Sequence, residues 1–197
     1  MTTVFSAMSV SVDGYITGRN PEDGRGLGDG GALFDWYTDG DVASTVFPDF
    51  HLTEASARLF DKEAARSGAI VAGRNTYEDS GRFGGGSPHP TSPVVVVSHR
   101  AAPEITARQT LVTTGIEDAV AAAKELARGK DVGIMGGGAL TAALEAGLVD
   151  EVLLHQIPIL LGAGRTFFQQ LPQHIRLRLV EAVPTPGVTH LRYEVLR

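Results

Sequence analysis

Residues Asp131 to Leu140 read DVGIMGGGAL, a short apolar strand that runs into three glycines and then into a helix. Val132, Ile134 and Met135 suit a strand buried on both faces, as parallel strands are. Gly136, Gly137 and Gly138 have no Cβ, so the backbone can turn sharply there and lie close to a ligand. The helix expected from Ala139 and Leu140 to Ala146 begins with N–H groups that lack partners within it. Those donors, together with the helix dipole, favour an anion such as a pyrophosphate. On this reading a side chain at Gly137 should obstruct the ligand more than the fold. A tight strand-to-helix turn that holds no ligand would have the same sequence, so the rest of the chain must decide.

Upstream the pattern repeats. Ala69–Ala72 is a short apolar strand, and Gly73-Arg74-Asn75-Thr76-Tyr77-Glu78 reads as another glycine turn into a helix. Val94–Val97 is four valines in a row, a strand buried on both faces that ends at Ser98-His99-Arg100. Leu111–Thr113 is a further short strand. Thr114 and Glu117 have capping-box spacing, opening a helix with Ile116, Val120, Ala123 and Ala127 inward and Gly129 at its end. Thr53 caps a helix running to about Arg66, with Ala55, Leu59, Phe60 and Ala64 toward the core and Gly68 ending it.

Thr3 to Val12 suits a first strand, punctuated by Asp13-Gly14. From Arg19 to Pro48 the chain is rich in glycine and aspartate without a period, and so long an irregular segment is usually functional or mobile. It contains GLGDGG (Gly26, Gly28, Gly31), a formal match to the dinucleotide fingerprint. No strand precedes it and no helix follows it, so the match is rejected. Downstream, Glu151–Ile157 is a strand and Pro158–Gly164 a second glycine-containing loop. Residues 175–182 and 188–196 alternate with period two, as in an antiparallel hairpin. The whole is expected to be one α/β domain over residues 1–197, with a largely parallel sheet and an antiparallel edge.

Three strand ends therefore carry polar or glycine-rich turns: Gly73-Arg74, Ser98-His99-Arg100 and Gly136–Gly138. In an open α/β sheet, ligands bind beyond the carboxyl ends of the parallel strands. Two arginines and a hydroxyl beside a glycine-lined helix start make a phosphate site, since guanidinium pairs with phosphate oxygens.

Composition narrows the partners. Apolar residues make up 43% and charged residues 20% of the 197, and the net charge is −6. That balance points away from nucleic acid and toward a small-molecule substrate. The absence of cysteine excludes disulfides, thiolate catalysis and cysteine-bound metal. The six histidines show no metal-ligand spacing, so no metal site is expected. Ser87, in GGGSPHP, does not sit in a nucleophile elbow. No secretory signal is evident in the first twenty residues, and the apolar run 152–161 is broken by His155, Gln156 and Pro158. A cytoplasmic protein without a membrane span is expected.

The motifs AMSVSVDGYITG, VAGRNTYE, VVVVSHR, VGIMGGGAL and DEVLLHQIPILLGAG occur in the order seen in dihydrofolate reductases. The chain resembles that superfamily from Thr3 to Leu196. It is most similar to the reductase domain of the bifunctional riboflavin-biosynthesis deaminase/reductase and to its stand-alone relatives. The resemblance implies a three-layer fold, a mixed and mostly parallel sheet flanked by helices and closed by an antiparallel hairpin. It also implies NADPH as cofactor. Ser9 and Ile16 fall where such reductases use backbone groups beside the nicotinamide. Arg74 matches the arginine that meets the ribose phosphate, with Asn75 and Thr76 toward the pyrophosphate. Ser98 and Arg100, flanking His99, match residues that hold the adenosine phosphate, and Gly136, Gly137, Gly138 and Ala139 match the pyrophosphate turn. His155 falls near the substrate side. Stand-alone members commonly pair through their sheets, which implies a homodimer with Val152–Ile157 and the closing hairpin as contributors.

The chain departs from the family on the substrate side. Dihydrofolate reductases carry a helix carboxylate after the first loop, whereas this region is the irregular 19–48 stretch, where Asp35 is the nearest candidate proton donor. Trp36 and Tyr37 could line an aromatic substrate pocket or pack the loop onto the body. With no cysteine in these residues, no zinc deaminase domain is expected among them. The expected activity is hydride transfer from NADPH to a small planar heterocycle of pterin or ribosylaminopyrimidine type. A reductase of an unrelated carbonyl or imine, or a non-catalytic nucleotide or metabolite binder, are the alternatives.

Overall fold

Alternation along the strands sorts apolar side chains onto two faces of one sheet. The structure is a computed structural model that describes residues 2–21, 26–100 and 105–197; residues 22–25 of the irregular stretch lie outside them. Eight strands form the sheet: β1 (Val4–Ser11), β4 (Ser67–Gly73), β5 (Val94–Val97), β6 (Gln109–Val112), β7 (Asp131–Met135), β8 (Glu151–Ile157), β9 (Leu177–Pro184) and β10 (Thr189–Val195). A separate two-stranded ribbon pairs β2 (Val42–Ala43) with β3 (His51–Leu52). The order in the main sheet is β6-β5-β4-β7-β1-β8-β10-β9. All pairs from β6 to β8 are parallel, and β10 pairs antiparallel with both β8 and β9. This is the mixed sheet with an antiparallel closing hairpin that the sequence predicts.

The four valines of β5 are buried throughout because successive side chains serve different layers. Val95 and Val97 pack with Val71, Val132 and Ile134 under α3 (Ile116–Leu126) and α4 (Gly137–Glu145). Val94 and Val96 pack on the opposite face with Ile70, Ala72 and Tyr77 of α2 (Arg74–Asp79). The remainder of that second face is covered by α1 (Glu54–Arg66) and by a short 3-10 helix, Gly31–Tyr37, through a cluster that includes Leu33, Trp36, Leu52 and Ala57. Helices on both faces of a sheet give three layers.

Arg66, in the last turn of α1, joins that layer to the amino edge of the sheet. Its guanidinium pairs with Glu63 at 2.5 Å, Glu151 at 2.7 Å and Asp131 at 3.2 Å, and it lies 4.0 Å from the Phe5 ring centroid.

Some boundaries differ from expectation. Helix α1 is capped by Thr53, whose side chain accepts from Ser56 N–H, but it ends at Ser67 rather than Gly68. Gly68 belongs to β4, where an added Cβ would stand 2.6 Å from the Ala127 carbonyl oxygen. The buried face of α1 is Ser56, Ala57, Glu63 and Ala64, while Ala55, Leu59 and Phe60 are half-buried. The polar members turn inward because they have partners there, His190 for Ser56 and Arg66 for Glu63. The expected Thr114–Glu117 capping box does not form, since Gly115 occupies the N-cap at φ +135° with no side-chain cap. Its inner face of Ile116, Val120, Ala123 and Ala127 is buried as expected. Strand β8 lies inside the sheet between β1 and β10, so its backbone offers no free edge; the edge strands are β6 and, in the closing hairpin, β9.

Candidate functional site

Three of the parallel strands hand over to helices through glycine. Gly73 precedes α2, Gly115 precedes α3 and Gly136 precedes α4, and none of the three N-caps carries a side-chain cap. Helix α1, away from this edge, is capped by Thr53. The three glycine N-caps thus supply no side-chain acceptor to the helix starts that follow them, and these starts share the carboxyl edge of the sheet. They border a cleft of about 860 Å³. Uncapped helix starts present positive partial charge, which suits an anion.

The cleft gathers most of the residues expected there: Ile16, Gly73, Arg74, Asn75, Thr76, Ser98, His99, Arg100, Gly136, Gly137, Gly138 and Ala139. Each has a local cause. Gly136 adopts φ +94°, and a Cβ on it would stand 2.1 Å from Thr76 Oγ1. Ser98 Oγ donates to the Arg100 carbonyl at 2.8 Å and accepts from Arg100 N–H at 3.2 Å. Its hydroxyl therefore shapes the turn that presents His99 and Arg100. Arg74 is bridged to Glu78 at 2.8 Å, one helical turn on.

Gly137 departs from expectation. A Cβ there would meet the Thr166 carbonyl oxygen at 2.3 Å and that of Phe167 at 2.8 Å, so this glycine is needed by the fold itself. Gly138 is exposed, and a Cβ on it would meet only the flexible end of Gln169, at 3.5 Å or more.

Two expected members lie elsewhere. Leu140 is fully buried in the core, and its N–H donates to the Gly136 carbonyl at 3.0 Å. Ser9 is buried with its Oγ accepting from Trp36 Nε1–H at 3.0 Å. Other lining residues were not singled out from the sequence: Gly115, Glu117, Arg165, Gln169 and Gln170. Gly115 carried a legible signal, since it repeats the strand–glycine–helix pattern of Gly73 and Gly136. Arg165 arrives from a distant loop, tied to Asp79 at 2.8 Å, and had none.

Two glycines of GLGDGG, Gly28 and Gly30, serve packing. A Cβ on Gly28 would stand 1.9 Å from the Arg19 carbonyl oxygen, and one on Gly30 would stand 2.3 Å from Gly18 N. The segment lies back to back with residues 18 and 19, which agrees with rejecting the fingerprint.

A second cavity, about 260 Å³, opens on the α1 face of the sheet. Its wall is aromatic: Phe34, Tyr37, Phe47, Phe50 and Phe60, with Tyr37 and Phe50 stacked at 4.4 Å. Phe5, Ala7, Gly133 and Met135 of β1 and β7 also line it. The polar lining is Glu63, Ser67, His89 and His155. Burial, reinforced by His190, pushes His155 down to about 3, and burial also lowers His89, so both imidazoles are neutral at pH 7. Burial raises Glu63 against the opposing pull of Arg66. Met135 lines this cavity and Gly136 lines the cleft, so adjacent residues face the two spaces.

The expected substrate-side residues divide. His155 lines the cavity, and its Nδ1 lies 2.9 Å from His190 Nδ1, while His190 Nε2 lies 2.9 Å from Ser56 Oγ. Trp36 is buried behind the aromatic wall against Tyr37, Phe60, His155 and His190, so it packs the loop onto the body. Asp35 is exposed and lines neither space, because the three-residue period of the 3-10 helix turns Leu33 and Trp36 inward and Asp35 outward. No candidate proton donor is therefore placed at Asp35. Among the described residues, no group of three or more His, Cys, Asp or Glu side chains is placed to hold a metal ion, and no helix is long and apolar enough to cross a membrane.

A parallel sheet with a cleft at its carboxyl edge, an aromatic cavity beside it and a closing hairpin defines a dihydrofolate reductase-like α/β protein. The sequence pattern of the RibD C-terminal domain matches residues 2–191, and the chain belongs to that family. Among solved structures it is similar to a putative riboflavin biosynthesis protein from Shewanella sp. PV-4, at 24% identity over the whole of both chains and a TM-score of 0.72. It is also similar to a pyrimidine reductase-like protein from Corynebacterium diphtheriae, at 16% identity over 100% of this chain and 92% of that one, TM-score 0.63. Dihydrofolate reductase from Enterococcus faecalis, complexed with NADP(H) and RAB-propyl, shares 16% identity over 98% of this chain and 96% of its own, TM-score 0.61. At these identities the likeness establishes the fold. No curated protein matches the sequence.

Proposed function

We propose that the protein is an NADPH-dependent oxidoreductase that reduces a small planar heterocycle of pterin or aminopyrimidine type. The observation that carries this reading is the junction at Met135 and Gly136, where an anion-suited cleft and an aromatic cavity meet at consecutive residues. The lining of the cleft fits a dinucleotide phosphate. Gly136 and Gly138 let the start of α4 approach the pyrophosphate, Asn75 and Thr76 flank it, and Arg74, His99 and Arg100 receive the phosphate on the adenosine ribose. Ile16 would lie against the nicotinamide. When bound, NADPH supplies the hydride; the chain's own residues orient the ring, exclude water and stack the acceptor between aromatic side chains.

A non-catalytic binder is the second reading, favoured by the outward position of Asp35 and by the engagement of Glu63 with Arg66. One experiment separates the two. NADPH and NADH are titrated into the protein, and NADPH consumption is followed with a panel of pterins and aminopyrimidines. Tighter binding of NADPH than NADH with turnover of at least one heterocycle is expected. Binding without any turnover would favour the binder, and no NADPH binding would end the reductase reading.

We also propose a cytoplasmic homodimer formed through β9. This edge strand exposes Leu177, Leu179 and Val180, and unpaired edges with apolar side chains are normally covered. Sedimentation at micromolar concentration should give twice the 20.8 kDa chain mass, and a monomer would refute it.

A further inference from the structure

Beside the aromatic cavity lies one polar group that the described residues leave unused. Ser67 Oγ is buried, with the residue 3% exposed, and it has no hydrogen-bond partner among the described residues. It lines the cavity from the junction of α1 and β4. Its backbone is fixed, because the Ser67 carbonyl accepts from Ser92 Oγ at 2.9 Å. A buried hydroxyl without a partner is costly, and native proteins keep few of them.

The charges around the cavity point the same way. Among the described residues that line it, none is lysine or arginine. Of the cations nearby, Arg66 stands against the Phe5 ring and is already shared by Glu63, Asp131 and Glu151, while Lys130 donates to the Ala65 carbonyl; neither they nor Lys62 line the cavity. The only carboxyl group among those lining residues is Glu63. A phosphate or carboxylate held against this lining would give up water with no cationic lining residue to replace it. The arginines of this region, Arg74, Arg100 and Arg165, border the other cleft.

Resting on the reductase reading above, we infer that the acceptor bound in this cavity is an uncharged aromatic molecule without a phosphate, recognised through Ser67 Oγ. Tyr37 and Phe50, stacked on each other, and Phe34, Phe47 and Phe60 around them offer flat contact to a ring. The cavity volume of about 260 Å³ accommodates a ring system.

The test uses the intact chain and a matched pair of probes, 6-hydroxymethylpterin and its phosphate monoester, with affinities measured by calorimetry. The uncharged pterin should bind at least about tenfold more tightly than the ester, as expected when a charge must be buried unpaired. Ser67→Ala should weaken the pterin by about three- to tenfold, the contribution of one neutral hydrogen bond. It should leave the melting temperature of the free protein unchanged or raised, which a purely structural serine would not do. Phe50→Ala should weaken the pterin as well. The inference is overturned if the ester binds as well as the pterin, if neither probe binds, or if Ser67→Ala changes nothing because water alone serves the hydroxyl. NADPH binding, measured separately, keeps the two proposals distinct. Pterin binding without NADPH binding would sink the reductase reading alone, and NADPH binding with preference for the ester would sink this inference alone.

Discussion

Gly137 packs directly against the loop that carries Thr166: a Cβ at position 137 would lie 2.3 Å from the Thr166 carbonyl oxygen. Its neighbour Gly138 has open surroundings. The two glycines of one turn therefore answer to different constraints, the first to the fold and the second to whatever occupies the cleft.

This separation gives a paired prediction. Gly137→Ala should destabilise the free protein by about 1–3 kcal/mol through overpacking against backbone. For a chain of this size that lowers the melting temperature by roughly 2–10 °C. Gly138→Ala should leave the free protein as stable as before or slightly more so, since alanine is the better helix former by about 1 kcal/mol. Its methyl group should weaken NADPH. A Gly138→Ala protein that binds NADPH normally would remove α4 from the cofactor site.

The cofactor preference should reside in the turn that Ser98 builds. Arg100→Ala should cost about 1.5–3 kcal/mol of NADPH affinity and leave NADH affinity nearly unchanged. Ser98→Ala should do the same more weakly, because it loosens the turn without removing the charge. Equal loss for both nucleotides in Arg100→Ala would show that the arginine does not read the additional phosphate.

Acid should destabilise the protein through the buried histidine pair. In the fold His155 is pushed down to about 3 and His190 to about 4, both chiefly by burial. The unfolded chain takes up these protons near pH 6.5. Stability is therefore full above about pH 6.5 and falls as pH drops toward the folded values, by up to about 1.4 kcal/mol per pH unit for each histidine. Urea unfolding between pH 7.5 and 5 should show this slope. His190→Gln, which keeps hydrogen-bonding capacity and cannot titrate, should reduce the slope, with His155 and His89 supplying what remains. An unchanged slope would place the acid sensitivity elsewhere.

Arg66 should be among the most sensitive single positions for stability. Its removal leaves Glu63, Asp131 and Glu151 together without their shared cation. Arg66→Met should cost about 2–4 kcal/mol, somewhat below the figure for fully buried charges because the side chain retains 22% exposure. Denaturant titration reads this directly, and a loss under 1 kcal/mol would mean that the three carboxylates relax into solvent.

What the sequence determined by itself was the frame. The runs 69–72, 94–97 and 132–135 are apolar without a polar break, and a parallel sheet covered on both faces buries such runs. The glycines at 73 and 136 marked where those strands turn into helices, since each turn depends on local backbone geometry. Arg74, His99, Arg100 and Gly138 were legible at the cleft for the same reason: they follow strand ends within a few residues, and parallel strands bring their ends to one edge. Tertiary structure decided what depends on distant partners. Arg165 reaches the cleft only because its loop is tied to Asp79, and Gly137 is constrained by a carbonyl twenty-nine positions on, that of Thr166 (166 − 137). Asp35 turned outward because the 3-10 helix spends its inward positions on Leu33 and Trp36. The aromatic cavity had no periodic signature, because its wall is assembled from an irregular segment folded across α1 and the sheet. Local pattern encodes local geometry; a pocket built from segments far apart in the chain exists only once the packing of those segments has been settled.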